Sequence, residues 1–344
     1  MDGFQTFLAI VLILLVINYL STVFIDRILR YNDRSEKSGA LLEGFDGGTG
    51  DGGEREGEGG EETSAEANKG LILANDDLYD DFYASVYDKL AQGIERTSGK
   101  VALTMAQWKK YGIEPKDMKI LDAGCGTGVA TLAFKKLGAG SVLGVDQSEA
   151  MLRQARNVTE PATTLTQEER DNIEWRKANL LSPSALAGSE VNCAVVFYFT
   201  IYYLKDLDAF FRNLGFWVAP GGNLVVEVVN KYKFDPILDS ASPFAGFSIQ
   251  KYADKRQTKS KVAFDKFDYE AEFLLTDDTP NGHAEYREAF SFKDGSKRKQ
   301  KHSFYMPEIK KIVSAATYAG WTYKAYLDTT ALGFEYGFLL FFTH

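Results

Sequence analysis

Cysteine and histidine are scarce in this chain, and its basic residues are outnumbered by its acidic ones. Two cysteines, Cys125 and Cys193, and three histidines, His283, His302 and His344, occur in 344 residues. So few thiols offer no disulfide framework and suit a reducing compartment. No group of cysteines and histidines has metal-ligand spacing, so no metal is expected. The formal net charge is -9, and most of it sits in one stretch. Ser35 to Asn68 holds ten acidic residues against Lys37 and Arg55. The chain after Asn68 is close to neutral, without the basic field that draws a protein onto nucleic acid, so no nucleic-acid partner is expected. The apolar and charged fractions, 45% and 25%, are those of an ordinary globular protein. The length allows one or two domains, each with its own core.

Charge is also missing from Phe4 to Ile25. As a helix this stretch spans roughly 33 Å, enough to cross a hydrocarbon core. Arg27, Arg30, Arg34 and Lys37 follow it, while only Asp2 and the terminal amine precede it. The positive-inside rule then makes residues 1–34 a single-pass anchor with the rest of the chain facing the cytosol. A cleaved signal peptide is the competing reading, but the basic start and small-residue exit it needs are absent. A buried core helix is a second alternative, and it has nothing adjacent to pack against. Residues 35–75 read as an acidic tether. Its centre, Gly44 to Glu62, is glycine and acid with too little apolar surface to offset ordering.

Residues 76–344 carry the chemistry. Ile120 to Ala123 reads as a short buried strand, and Val129 onward as a helix. Between them lies Gly124-Cys125-Gly126-Thr127-Gly128. Alternate glycines allow a tight turn and a close ligand approach, and the turn aims free helix N-terminal amides at that ligand. A glycine-rich turn is shared with dinucleotide sites. Here the spacing is G-x-G-x-G, Asp122 precedes it, and a second strand, Ser141 to Asp146, ends in an acid suited to two ribose hydroxyls.

With LDAGCGTG and VDQSEAML in this order, the chain resembles the class I S-adenosylmethionine (SAM)-dependent methyltransferases over most of residues 76–344. The resemblance implies a Rossmann-like α/β fold. Its seven-stranded sheet has the order 3-2-1-4-5-7-6, the last strand antiparallel, and helices on both faces. It implies SAM as cofactor, with Gly124, Cys125 and Gly126 along the methionine part and Asp122 toward its amino group. Asp146 would hold the ribose, with Gln147 and Met151 beside the adenine. In RKANLLSP the resemblance places Asn179, followed by Leu180, where the family commonly has an acid for the adenine amino group. An amide oxygen can accept that hydrogen bond without charge. The remaining strands are expected at Asn192 to Phe199, Asn223 to Val229, Thr322 to Leu327 and Phe334 to Phe342.

Upstream, Tyr79, Tyr83 and Tyr87 are spaced four apart within Asp77 to Leu90, on one face of a helix. That face either packs on the sheet or forms a lid whose aromatic rings, Tyr79 among them, meet the cofactor sulfonium. Tyr198, Tyr202 and Tyr203, just past the fourth strand, lie where the resemblance puts the transferred methyl, to shape the pocket or to move a proton. Residues 231–306 form an insert. Phe264 to Leu275, Ala284 to Phe292 and Lys297 to Met306 alternate apolar and polar residues and predict three antiparallel strands. The insert could cap the substrate, pad the fold or make an oligomer contact. The basic run Lys297 to Lys301 reads first as a charged, solvated hairpin edge and second as an anion site. His302 is a structural hydrogen-bonding group or a proton acceptor.

The expected activity is direct methyl transfer to an N, O or C atom, in which alignment matters more than a dedicated base. FYFTIYYL lacks the Asn/Asp-Pro-Pro-aromatic pattern of enzymes that methylate amide or adenine nitrogens, which favours a small-molecule or lipid acceptor. An NAD-dependent oxidoreductase is the rival that the glycine spacing disfavours. A noncatalytic SAM-binding scaffold tethered to a membrane is the other.

Overall fold

The computed structural model describes residues 72–74, 77–91, 93–159, 164–236, 256–277 and 279–344. The expected anchor, residues 1–34, and the tether up to residue 71 lie outside the described residues. No helix among the described residues is long and apolar enough to cross a membrane.

The described chain starts with β1 (Ile72–Ala74), helix α1 (Asp81–Leu90) and helix α2 (Gly93–Lys110). Strands and helices then alternate: β2 (Lys119–Ala123), α3 (Val129–Lys136), β3 (Ser141–Asp146), α4 (Glu149–Thr159), α5 (Gln167–Asp171), β4 (Ile173–Lys177), β5 (Val191–Val196), α6 (Thr200–Tyr203), α7 (Leu207–Trp217) and β6 (Val218–Val229). Next come β7 (Lys259–Ala263), β8 (Phe267–Asp277), β9 (His283–Phe292) and β10 (Lys297–Tyr305), then α8 (Ile309–Tyr318), β11 (Thr322–Asp328) and β12 (Gly337–Thr343).

The larger sheet has seven strands in the order β4-β3-β2-β5-β6-β12-β11. Relabelled by position among the sheet's own strands, this is the expected 3-2-1-4-5-7-6, and β12 runs antiparallel to both neighbours. The inner strands β2, β3, β5, β6 and β12 read as largely apolar runs because the sheet is covered on both faces, whereas the edge strands β4 and β11 carry polar residues throughout. Alternate residues serve opposite sides. Leu121, Ala194 and Val226 join one core with Phe210, Phe211 and Trp217, while Ile120, Cys193 and Val225 join the other with Trp108 and Phe134. Parallel pairing of β2 with β3 and β5 sets their carboxyl ends side by side, where open α/β sheets bind ligands.

The insert is larger than its alternation predicted. Four strands, β7 to β10, form an antiparallel meander, and β1 adds a fifth by pairing in parallel with β10. Ile72–Ala74, placed by sequence in the tether, thus belongs to a sheet. Strand β10 is consequently no free edge. Its Arg298 reaches Asp80 (2.6 Å) and the Leu78 carbonyl (2.9 Å), and Lys301 pairs with Glu285 (3.0 Å). The solvated-edge reading of Lys297 to Lys301 is corrected: this strand is where the segment leading into α1 docks. Helix α1 itself starts at Asp81, later than the pattern suggested, because Asp80 caps it by accepting from the Tyr83 amide (2.9 Å).

Candidate active site

The loop after β2 turns through three left-handed glycines, Gly124, Gly126 and Gly128. Any side chain on Gly124 would strike Thr200, with a Cβ only 2.4 Å from the threonine methyl carbon. Asp146, at the end of β3, holds this loop. Its Oδ2 accepts from the Gly126 amide (2.9 Å) and its Oδ1 from the Ser148 amide (2.8 Å). Burial raises its carboxyl above the usual aspartate value, against the pull of those amides. The Gln147 amide adds to the pull on this carboxylate. Helix α1 closes over the loop: Thr127 donates to Asp88 (2.5 Å), and Ser148 donates to the Tyr79 carbonyl (2.7 Å).

A cavity of about 610 Å³ opens beside this loop. Of the residues expected from sequence, it is lined by Tyr79, Gly124, Gly126, Asp146, Gln147, Met151, Asn179, Leu180, Tyr198, Tyr203 and His302. Asp122, Cys125 and Tyr202 are not among the lining residues. Asp122 is buried beneath the loop and accepts from the Thr131 hydroxyl (2.7 Å). Burial lifts its carboxyl to about 6, opposed by hydrogen bonds from Thr131. Cys125 is buried, and burial pushes its thiol well up. The Tyr202 hydroxyl accepts from the Val229 amide (2.8 Å), so this side chain fastens α6 to β6 and does not face a substrate. The Asn179 side-chain oxygen accepts from the Leu181 amide (2.9 Å), which leaves it one lone pair for a base.

Two arrangements escaped the sequence reading. One supports Tyr198, whose backbone is left-handed at φ 56°, a costly conformation for a residue with a side chain. Glu227 accepts from its amide (2.6 Å), and Lys100 reaches in from α2 to pair with the same carboxylate (2.5 Å). Both charges are buried, and burial lowers the Lys100 amine despite its partner.

The other is a buried polar chain across the cavity wall. Tyr79 donates to the Tyr203 hydroxyl (2.7 Å), Tyr203 meets His302 Nδ1 in a short hydrogen bond, and His302 Nε2 lies 2.6 Å from Glu288 Oε2. Glu288 also accepts from Tyr83 (2.9 Å), Tyr269 (2.5 Å) and Gln300 (2.6 Å). Burial would raise this carboxyl. Interaction with His302 and the hydrogen bonds from His302, Tyr269 and Gln300 outweigh it and hold the group below the usual glutamate value. Burial pushes the Tyr79, Tyr83 and Tyr203 phenols well above their ordinary value. The signal for Glu288 was present in the alternation of β9, where it shares the inward register with Ala284 and Phe290.

A curated ribosomal protein L11 methyltransferase of Bordetella parapertussis is 27% identical over 142 residues, 41% of this chain and 40% of that protein. The chain thus spans about two fifths of that relative's length. Among solved structures, the CcbJ methyltransferase of Streptomyces caelestis superposes with a TM-score of 0.55 at 16% identity, covering 77% of this chain and 96% of that one. SAM-bound CalS10, an amino pentose methyltransferase of Micromonospora echinaspora, gives 0.52 at 17% identity, covering 78% and 100%. These likenesses establish the fold. Residues 120–222, from β2 into the turn within β6, match the family model of a methyltransferase domain.

Proposed function

We propose that this protein transfers the methyl group of SAM to a small-molecule nucleophile. The observation that carries the reading is Asp146, held by two backbone amides at the mouth of a 610 Å³ cavity between the glycine loop and an aromatic wall. The residues fit the cofactor. Gly124 and Gly126 leave room for its methionine end, the Asp146 carboxylate lining the cavity suits a ribose hydroxyl, and Met151 and Leu180 give an apolar floor for adenine. SAM would supply an electrophilic methyl on sulfonium. The chain's own part is alignment and exclusion of water, through α1 above the loop and Tyr198 braced by Glu227. The amino pentose named for one solved neighbour supports a small acceptor over a macromolecule.

The proposal extends to place: residues 4–25 anchor the enzyme to a membrane with the catalytic domain on the cytosolic side, on the strength of their uncharged run and the arginines that follow. The activity is tested by incubating the protein with methyl-labelled SAM and fractionated small-molecule extracts. Label should appear in a small organic product and depend on Asp146. Label confined to protein or nucleic acid would overturn the small-acceptor reading.

A further inference from the structure

Part of the cavity is walled by rings from four separate segments. Phe199 follows β5, Phe234 follows β6, Phe273 lies on β8 and Phe304 on β10. They stand 5.0 to 5.6 Å apart as Phe199–Phe234, Phe199–Phe304 and Phe234–Phe273 pairs. Tyr203 closes the group, 5.0 Å from Phe304. Such a wall suits a flat aromatic ring.

The polar groups at this wall have a direction. Glu288 takes its proton donor from His302 Nε2, which leaves Nδ1 as an acceptor in the neutral ring. In that tautomer Tyr203 donates to Nδ1, and its oxygen accepts from Tyr79. What this chain offers the cavity is a phenol oxygen with a free lone pair, backed by an imidazole and then a carboxylate. Glu288 is already engaged by four donors, and Asp235, another carboxylate lining the cavity, acts on Arg256. Around His302 the titratable groups are Tyr79 and Tyr83 from the α1 side, Tyr203 from α6, and Tyr286 and Glu288 from β9.

We propose that the acceptor is an aromatic hydroxyl compound, and that Tyr203, His302 and Glu288 relay its proton away as the methyl arrives. The proposal rests on the methyltransferase reading above. Tyr203 touches the acceptor; His302 and Glu288 act through it. The acceptor O–H proton passes to the Tyr203 oxygen while the Tyr203 proton passes to His302 Nδ1. The acceptor O–CH3 bond forms as the cofactor S–CH3 bond breaks, and the proton rests on an imidazolium paired with Glu288. Burial makes the Tyr203 phenol harder to ionise than usual, so Tyr203 takes one proton as it gives the other and ends the transfer neutral. An acidic phenol is close enough in proton affinity to use this route, whereas an alkanol is not.

The test uses p-nitrophenol as the probe, whose phenolate is yellow, with full-length protein saturated with S-adenosylhomocysteine (SAH). Below the probe's own pKa, the bound phenolate-to-phenol ratio should exceed that of free probe about ten-fold, equivalent to one unit of pKa. Tyr203→Phe, His302→Gln and Glu288→Gln should each bind SAH as the wild type does and return the ratio to that of free probe. SAH binding in each variant reports an intact fold, and Tyr203→Phe is the mildest change. Bound probe that stays neutral in the wild type, or ionisation unaffected by all three substitutions, would overturn the relay. No probe binding by SAH-loaded protein would overturn the substrate class. Failure to bind SAH at all would instead overturn the methyltransferase reading.

Discussion

The glycine-loop end of the cavity takes its polar groups from neighbouring chain, Gly124 to Ser148, and mostly from backbone amides. The aromatic end is assembled from side chains far apart: Tyr79 lies 124 residues before Tyr203, and Tyr203 lies 99 before His302. An end built from backbone and one carboxylate tolerates few substitutions but needs little from the rest of the fold. An end built from side chains on α1 and the segment before it, on α6 and on an inserted sheet exists only when all three are docked. The first end is therefore suited to a constant ligand and the second to a particular one.

The largest effect should come from breaking the aromatic end. Glu288→Ala removes the acceptor shared by four buried donors and should cost about 3–5 kcal/mol of stability, read by chemical denaturation. Full stability in that variant would mean the network is not closed in solution. The glycine-loop end should show itself in pH dependence. Asp122 has a folded-state value raised from the usual 3.8 to about 6, so the folded form binds its proton more tightly than the unfolded chain. Its contribution is fully present below about pH 4 and is lost as pH rises through 6, on the order of 3 kcal/mol. Asp122→Asn should flatten that part of the stability profile relative to wild type. Identical slopes for the two proteins would contradict the burial argument. The smallest effect should be Arg298→Ala at the docking of α1. Its pair with the half-exposed Asp80 and its bond to the Leu78 carbonyl are together worth on the order of 1–2 kcal/mol, so global stability should fall only slightly. Hydrogen exchange in α1 should nonetheless quicken, and unchanged exchange there would detach the lid from β10.

The same division explains what could be read from sequence. The central strands and the positions of Gly124, Gly126 and Asp146 were legible because each depends on local pattern: an apolar run, a glycine turn, an acid at a strand end. The order of the seven strands followed only from the resemblance that these motifs carry. Tyr203 and His302 were visible only as single residues, since nothing local shows that Glu288 stands opposite Gln300 in the β9–β10 register and beside His302. The basic run at Lys297 misled for a related reason. Whether a strand is an edge depends on what pairs with it, and β1 arrives from more than two hundred residues away. Tyr202 and Tyr203 are adjacent and alike in composition. Only the packing of α6 turns one toward Val229 and the other into the cavity.

The central claim is that this cavity binds SAM through Asp146, and titration calorimetry tests it most directly. The protein should bind SAM and show no heat with NAD. Asp146→Ala should weaken SAM by roughly a hundred-fold, the loss of about 3 kcal/mol from hydrogen bonds to a charged group. Folded protein that ignores SAM, or binds it equally well without the Asp146 carboxylate, would contradict the account.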